Sequence, residues 1–166
     1  MKATILLERQ HRNLQQLCEA VERGSARVRE SLLPQLAGDL VAHLAVEEQL
    51  FYPAACAALN EDAVVRSDKS RHAEARIQLE RVLSVSVEDD DGFAAAMGAL
   101  RDVVERHAEE EEEVLFPQLE DAIDSGAMRE LGLSMMSLYH SKVEAGYSAP
   151  EKRPVRSPPE AHAHGR

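Results

Sequence analysis

Apolar residues recur at three- and four-residue intervals through four successive stretches of the chain, the period of a helix with one buried face. The first stripe, Leu7, His11, Leu14, Cys18 and Val21, predicts a helix over 3–23 that Gly24 ends. The second, Leu36, Leu40, His43, Glu47, Leu50 and Ala54, predicts a helix over about 27–52. Pro34 marks its early turns or a kink, and Pro53 weakens its end, with helical backbone running on towards Ala58. The third, over about 61–86, carries Val65, His72, Ala75, Leu79 and Val82, interrupted at Asp68 or Lys69, with Asn60 or Asp62 as the expected N-cap. The fourth, over about 92–116, carries Met97, Leu100, Val104, His107, Glu111, Val114 and Gln118. It opens behind a solvated acidic turn at 88–91 that carries its start signal, and Pro117 mirrors Pro53.

A further amphipathic stretch, Met128, Leu131, Met135 and Leu138, predicts a fifth helix over 126–143, opened by Gly126. No strand is expected, because the valines between 82 and 87 alternate inside a helical period. The pattern is all-α: an antiparallel up-down-up-down four-helix bundle with a short C-terminal fifth helix. One domain is expected over 1–145, followed by a Pro- and charge-rich tail over 146–166 that reads as disordered.

The polar residues on these stripes carry the chemistry. His43-Leu-Ala-Val-Glu47-Glu48-Gln-Leu-Phe-Tyr52-Pro53 and His107-Ala-Glu-Glu-Glu111-Glu112-Glu-Val-Leu-Phe116-Pro117 share His, Glu, Glu, an aromatic and Pro at equal offsets. His11 and His72 precede these segments, so one unit is used twice. Residues four apart lie on one helical face, so His-x-x-x-Glu aims an imidazole and a carboxylate the same way. The bland reading is a solvated i,i+4 pair, and the acidic run at 109–113 makes such a pair easy to obtain by chance. Here, however, four His and two Glu all fall on apolar stripes. Buried carboxylates are costly unless paired or bound to metal, and a metal cluster satisfies all six at once. The register agrees. Points midway between successive sites fall at about 28, 58 and 90, near the breaks at Gly24 and Ser25, at 59–62 and at 88–92, as antiparallel neighbours require.

The set His11, His43/Glu47, His72, His107/Glu111 resembles the hemerythrin-like, or HHE cation-binding, family over roughly 3–145. The resemblance implies a four-helix bundle holding two iron ions in a non-haem di-iron centre, each Glu bridging and two His on each ion. It differs from oxygen-carrying hemerythrins, which add a His and an Asp. Its ligand set is similar to that of iron–sulfur-cluster repair di-iron proteins, which carry an extra cysteine-containing domain. Four imidazoles and two carboxylates suit iron, and imidazole also suits zinc or copper. Glu48 and Glu112 read as groups behind the ligands or at the surface. Glu8 and His11 make one Glu-x-x-His, whereas ferritin-like sites need that motif from two helices. Tyr52 reads as a core or rim aromatic, with a redox-active neighbour as the sharper alternative. His140 reads as surface, and His162 and His164 as part of a solvated end.

Charge and cysteines narrow the classes. At 166 residues with a net charge of −11, the chain is one domain without the clustered cations that nucleic acid requires. No apolar run approaches the ~20 residues that span a bilayer, and no secretory signal is read. The expected compartment is the cytoplasm, with Cys18 and Cys56 as free thiols. Cys18 reads as a small core residue, with a redox role as the alternative. The expected partner is a small ligand: oxygen, peroxide or nitric oxide. The first function class is binding or sensing. The second is an enzyme for peroxide disproportionation or di-iron repair under nitrosative stress. Oxygen carriage or iron handling is a further alternative.

Overall fold

The computed structural model describes residues 1–60 and 62–147, without the side chains of 62–69. The expected roles of Val65, Asp68 and Lys69, an Asp62 cap, the tail, and His162 and His164 therefore lie outside the described residues. The elements in order are α1 (Ala3–Arg23), α2 (Ala26–Val46), a π-helical turn (Glu47–Phe51), α3 (Tyr52–Leu59), α4 (Asp62–Ser84), α5 (Asp90–Glu110), a second π-helical turn (Glu111–Leu115), α6 (Phe116–Ala122) and α7 (Ser125–Ala145). There is no strand among the described residues.

Helix α1 has the expected bounds, with Gly24 beyond its last turn. Pro34 lies inside α2; its ring faces solvent and so does Glu30, the residue whose carbonyl lacks its N–H donor, so water can satisfy it. Asn60, one of the expected N-caps of α4, ends α3 in the left-handed conformation, φ 53°, where Asn is better tolerated than most residues. The acidic run opens α5 earlier than expected, because Asp89 accepts from the Gly92 N–H at 3.1 Å. Helix α7 likewise starts at Ser125, since Asp124 accepts from the N–H groups of Gly126 at 2.8 Å and Ala127 at 3.1 Å.

The main difference from the predicted stripes lies at the two π-helical turns. The Tyr52 N–H bonds the Glu47 carbonyl, and the Phe116 N–H bonds that of Glu111, five residues back instead of four. Proline follows directly in both, at 53 and 117, with no N–H to donate and a ring that crowds the carbonyl four residues back. Each turn slips the helical phase by one residue. Leu50 and Ala54 are only half-buried, and Phe51 and Ala55 take the buried positions. Val114, expected inside, is 56% exposed, while Leu115 and Leu119 are buried.

Helix α1 packs on α2, α5 and α7, α4 on α5, and α2 on α7. Two apolar clusters result. One is built on Leu14, Leu36, Leu40, Leu79, Met97 and Leu100. The other is built on Leu7, Phe51, Phe116, Leu119 and Met135. His11, His43 and His107, on α1, α2 and α5, and the glutamates that open the two π-helical turns lie between them along the chain. Buried Arg29 ties α2 to the α4–α5 turn, donating to the Val87 carbonyl at 2.8 Å and to Asp90 Oδ1 at 2.7 Å, with its guanidinium over the Phe93 ring. Cys18 is a core residue: burial pushes its thiol up to about 12, which leaves it inert at neutral pH.

Candidate metal centre

His11 comes from α1, His43 from α2, His72 from α4 and His107 from α5. Glu47 and Glu111 are the first residues of the two π-helical turns. All six side chains are buried, none more than 6% exposed. One group forms directly: a ligand atom from each of His11, His43, Glu47 and His107 lies within 4.8 Å of the others. His72 and Glu111 adjoin it, His72 Nε2 at 3.1 Å from Glu47 and Glu111 Oε2 at 3.4 Å from His11 Nε2.

Glu47 is the centre of the arrangement. Its Oε1 lies 3.0 Å from His43 Nε2 and 3.8 Å from His11 Nε2. Its Oε2 lies 3.1 Å from His72 Nε2 and 3.4 Å from His107 Nε2. Each oxygen thus faces one pair of imidazoles, and the rings pair the same way, His11–His43 at 4.9 Å and His72–His107 at 5.0 Å. Glu111 Oε2 spans the pairs, 3.4 Å from His11 and 3.8 Å from His107.

These atoms converge without satisfying one another. Nε2 of His11, His43 and His107, both oxygens of Glu47 and Oε2 of Glu111 are buried and in no hydrogen bond. Buried polar atoms without partners are rare because each forfeits its hydration for nothing. A cation among them removes that cost, and the donors fit one: imidazole nitrogens and carboxylate oxygens suit iron, zinc or copper.

The far sides of the rings are held. His72 Nδ1 lies 2.9 Å from Glu48, and His11 Nδ1 lies 2.9 Å from Glu112. His43 Nδ1 lies 2.9 Å from Gln10 Oε1. Glu48 and Glu112 thus stand behind ligand candidates, where carboxylates orient metal-binding histidines. Arg76 binds Glu48 in turn with two bonds, at 2.8 and 3.0 Å.

Burial disfavours charge throughout the cluster, and the neighbours decide the outcome. Burial raises Glu47, but the surrounding imidazoles, His43 and His107 foremost, outweigh it and hold its carboxyl well below the usual range. Burial, and then the charge of Glu47, push Glu111 up. Burial lowers His11, but Glu111 and Glu47 outweigh it and push it up to about 10. His107 is raised against burial by the same two carboxylates. Burial dominates at His43, which falls well below the ordinary histidine value despite Glu47.

Tyr52, read from the sequence as a core or rim aromatic, is buried against the cluster. Its hydroxyl donates to Glu111 Oε1 at 2.8 Å and lies 2.9 Å from His72 Nε2. In an unbroken α-helix a residue five beyond Glu47 points about 140° away from it; the π-helical turn swings it back over the cluster. The usable signal was an aromatic followed by Pro, five and six residues after Glu in both halves. In the matching place Phe116 stacks on His11, centroids 6.0 Å apart and planes 9° off parallel. His140 is exposed on α7, apart from the cluster.

Fold and site together define a class: an all-helical protein with a buried layer of histidines and carboxylates arranged to take a cation. Residues 3–127 match the Hemerythrin HHE cation binding domain, and the chain belongs to that family. The crystal structure of a hemerythrin HHE cation binding domain-containing protein from Mycobacterium kansasii has the same fold. It is 23% identical with a TM-score of 0.77, over 87% of this chain and 89% of that one. None of the curated proteins matches the chain.

Proposed function

We propose that the protein holds two iron ions in a non-haem di-iron centre and reacts there with small oxidants or diatomic ligands in sensing or stress response. In this reading His11 and His43 serve one ion and His72 and His107 the other. Glu47 and Glu111 lie between them, and Tyr52 adds an oxygen donor on the His72 side. The observation that carries it is Glu47: two buried oxygens without hydrogen bonds, each facing its own pair of imidazoles. The long helices are read as an antiparallel up-down-up-down bundle with α7 as the fifth, supported by the brief connections between successive elements.

When bound, iron supplies redox electrons and coordination positions that the protein donors leave open. The chain's residues do the rest. Glu48, Glu112 and Gln10 fix the directions of three imidazoles. The apolar clusters on either side exclude bulk water. The Tyr52 hydroxyl holds a proton against Glu111 Oε1 at the edge of the cluster. The cytoplasm is the proposed compartment, and no nucleic acid or membrane is proposed as a partner. No described helix is long and apolar enough to cross a membrane.

The test is stopped-flow mixing of reduced, iron-loaded protein with oxygen, peroxide and nitric oxide in separate runs. Rapid oxidation without a reversible oxygen adduct is expected. A stable adduct reversed fully by removing oxygen, with no reaction with peroxide or nitric oxide, would favour oxygen carriage and reject the reading. Repeated turnover of peroxide would assign an enzyme, and a single stoichiometric change a sensor.

A further inference from the structure

We infer that the two cation positions are unequal and fill in order, the His72–His107 side first, and that Arg76 is a positioning residue that sets this order. The inference rests on the dinuclear reading above. The duplicated unit supplies both sides with the same donors, so their difference lies in what surrounds those donors.

Three differences face the cluster. The first is Tyr52 against Phe116. The Tyr52 hydroxyl reaches His72 Nε2 at 2.9 Å, whereas Phe116 brings only a ring face to His11. The His72 side therefore has an oxygen donor that the other side lacks. The second lies behind the rings. Glu48, behind His72, is gripped at both oxygens by Arg76. The position matching Arg76 on α1, four residues after His11, is Gln15, which carries no charge. Glu112 behind His11 is therefore held without a matching guanidinium. The third difference acts the other way: Gln10 holds His43 Nδ1 at 2.9 Å, while His107 Nδ1 has no hydrogen-bond partner.

Magnitudes decide between them. A carboxylate behind a ligand histidine is worth about 10- to 100-fold in metal affinity when it is correctly aimed. Glu48 is a flexible side chain, 31% exposed, and its aim costs rotamer entropy that Arg76 removes in advance. Arg76 also draws charge from the carboxylate that polarises His72. Both partners are about a third exposed, so solvent weakens that opposing effect more than it weakens the geometric one. Against the clamp and the extra oxygen stands one neutral amide hydrogen bond on His43, the weaker kind. The balance favours the His72–His107 side.

The experiment adds cobalt(II) stepwise and anaerobically to the metal-free full chain, followed by calorimetry and visible absorption. The expected result is two steps of one ion each, at least about tenfold apart in affinity. Arg76→Met should weaken the first step about tenfold and leave the second within about twofold. Glu48→Gln, which keeps an acceptor for His72 but loses the ion pair, should do the same. Gln15→Met should move neither step, and circular dichroism should show all three variants folded. Two ions taken up in one unresolved step would overturn the order while leaving the dinuclear reading intact. Equal weakening of both steps in Arg76→Met and Glu48→Gln would overturn the role of Arg76. Fewer than two ions bound would overturn the dinuclear reading and this inference with it.

Discussion

The two halves of the duplicated unit share a backbone device and differ in their polar outfit. Each runs His-x-x-x-Glu-Glu into a π-helical turn, an aromatic and a proline, and each aims the second Glu at the first histidine of the other half. The first half carries Tyr52 and the second Phe116. Across the bundle, His72 is backed by Glu48 and Arg76, and His11 by Glu112. Backbone geometry is therefore common to both, while the polarity around each imidazole is specific to its half. Repetition supplies a symmetric cage of donors, and single differences around it give the two halves unlike surroundings.

The strongest way to break this comparison is at its shared centre. Glu47→Ala removes the side chain that faces both imidazole pairs, and should lower iron affinity more than about a hundredfold, beyond the usual effect of residues behind the ligands. Equilibrium binding of iron(II) under anaerobic conditions checks it; an effect confined to one of two bound ions would show that Glu47 does not serve both.

Next in size is the phase slip common to both halves. Leu115→Ala should cost about 2–5 kcal/mol, as a buried leucine does, while Val114→Ala should stay within about 0.5 kcal/mol. Urea unfolding measures both. The reverse ranking would restore the uninterrupted α-helical phase.

The aromatic pair separates the halves. In metal-free protein Tyr52→Phe should cost about 1–3 kcal/mol, because Glu111 Oε1 loses its donor while buried. Phe116→Tyr should bring no compensating gain, since the ring stacks on His11 without a polar partner for a hydroxyl. Thermal melts of the two single variants test the contrast.

The smallest expected effect concerns a polar pin found in one half only. Glu120 receives Lys2 at 2.8 Å and Thr4 at 2.6 Å, where the first half has Cys56. The Lys2 bond, then Thr4, holds the Glu120 carboxyl below the usual range. A depressed carboxylate contributes stability above its unfolded value, and that contribution is lost as pH falls through the folded one. Lys2→Ala should therefore lower the Tm by about 1–2 °C at pH 7, and the difference should close as acid titrates the Glu120 carboxylate. A difference that persists at acid pH would assign the pin to packing.

Much of this was legible in the chain. The histidines and the two glutamates stood out because polar residues on an apolar stripe need a reason; helical spacing puts each His-x-x-x-Glu pair on one face, and the turn positions set the helices' sites at one level. The groups behind them were legible too, since Glu48 and Glu112 sit one residue round the helix. The missing part follows from one assumption, that the 3.6-residue period continues to the end of each helix. It fails at Glu47 and Glu111, which sent Leu50 and Val114 fully inward on paper and left Tyr52 open between a core or rim aromatic and a neighbour of the site. The paired prolines were the local sign of that failure. The caps were legible only in part: the acidic run at 88–91 read as a start signal, but which of its carboxylates caps the helix, and that Asp124 caps the next, shows only in the bonded N–H groups.

The most direct measurement of the central claim is the metal content of the full chain purified from iron-supplied cells. The account predicts two iron ions per chain, a sharp fall in His107→Ala, and no change in His162→Ala. Absence of bound metal in the unaltered chain, or equal loss in the two variants, would contradict it.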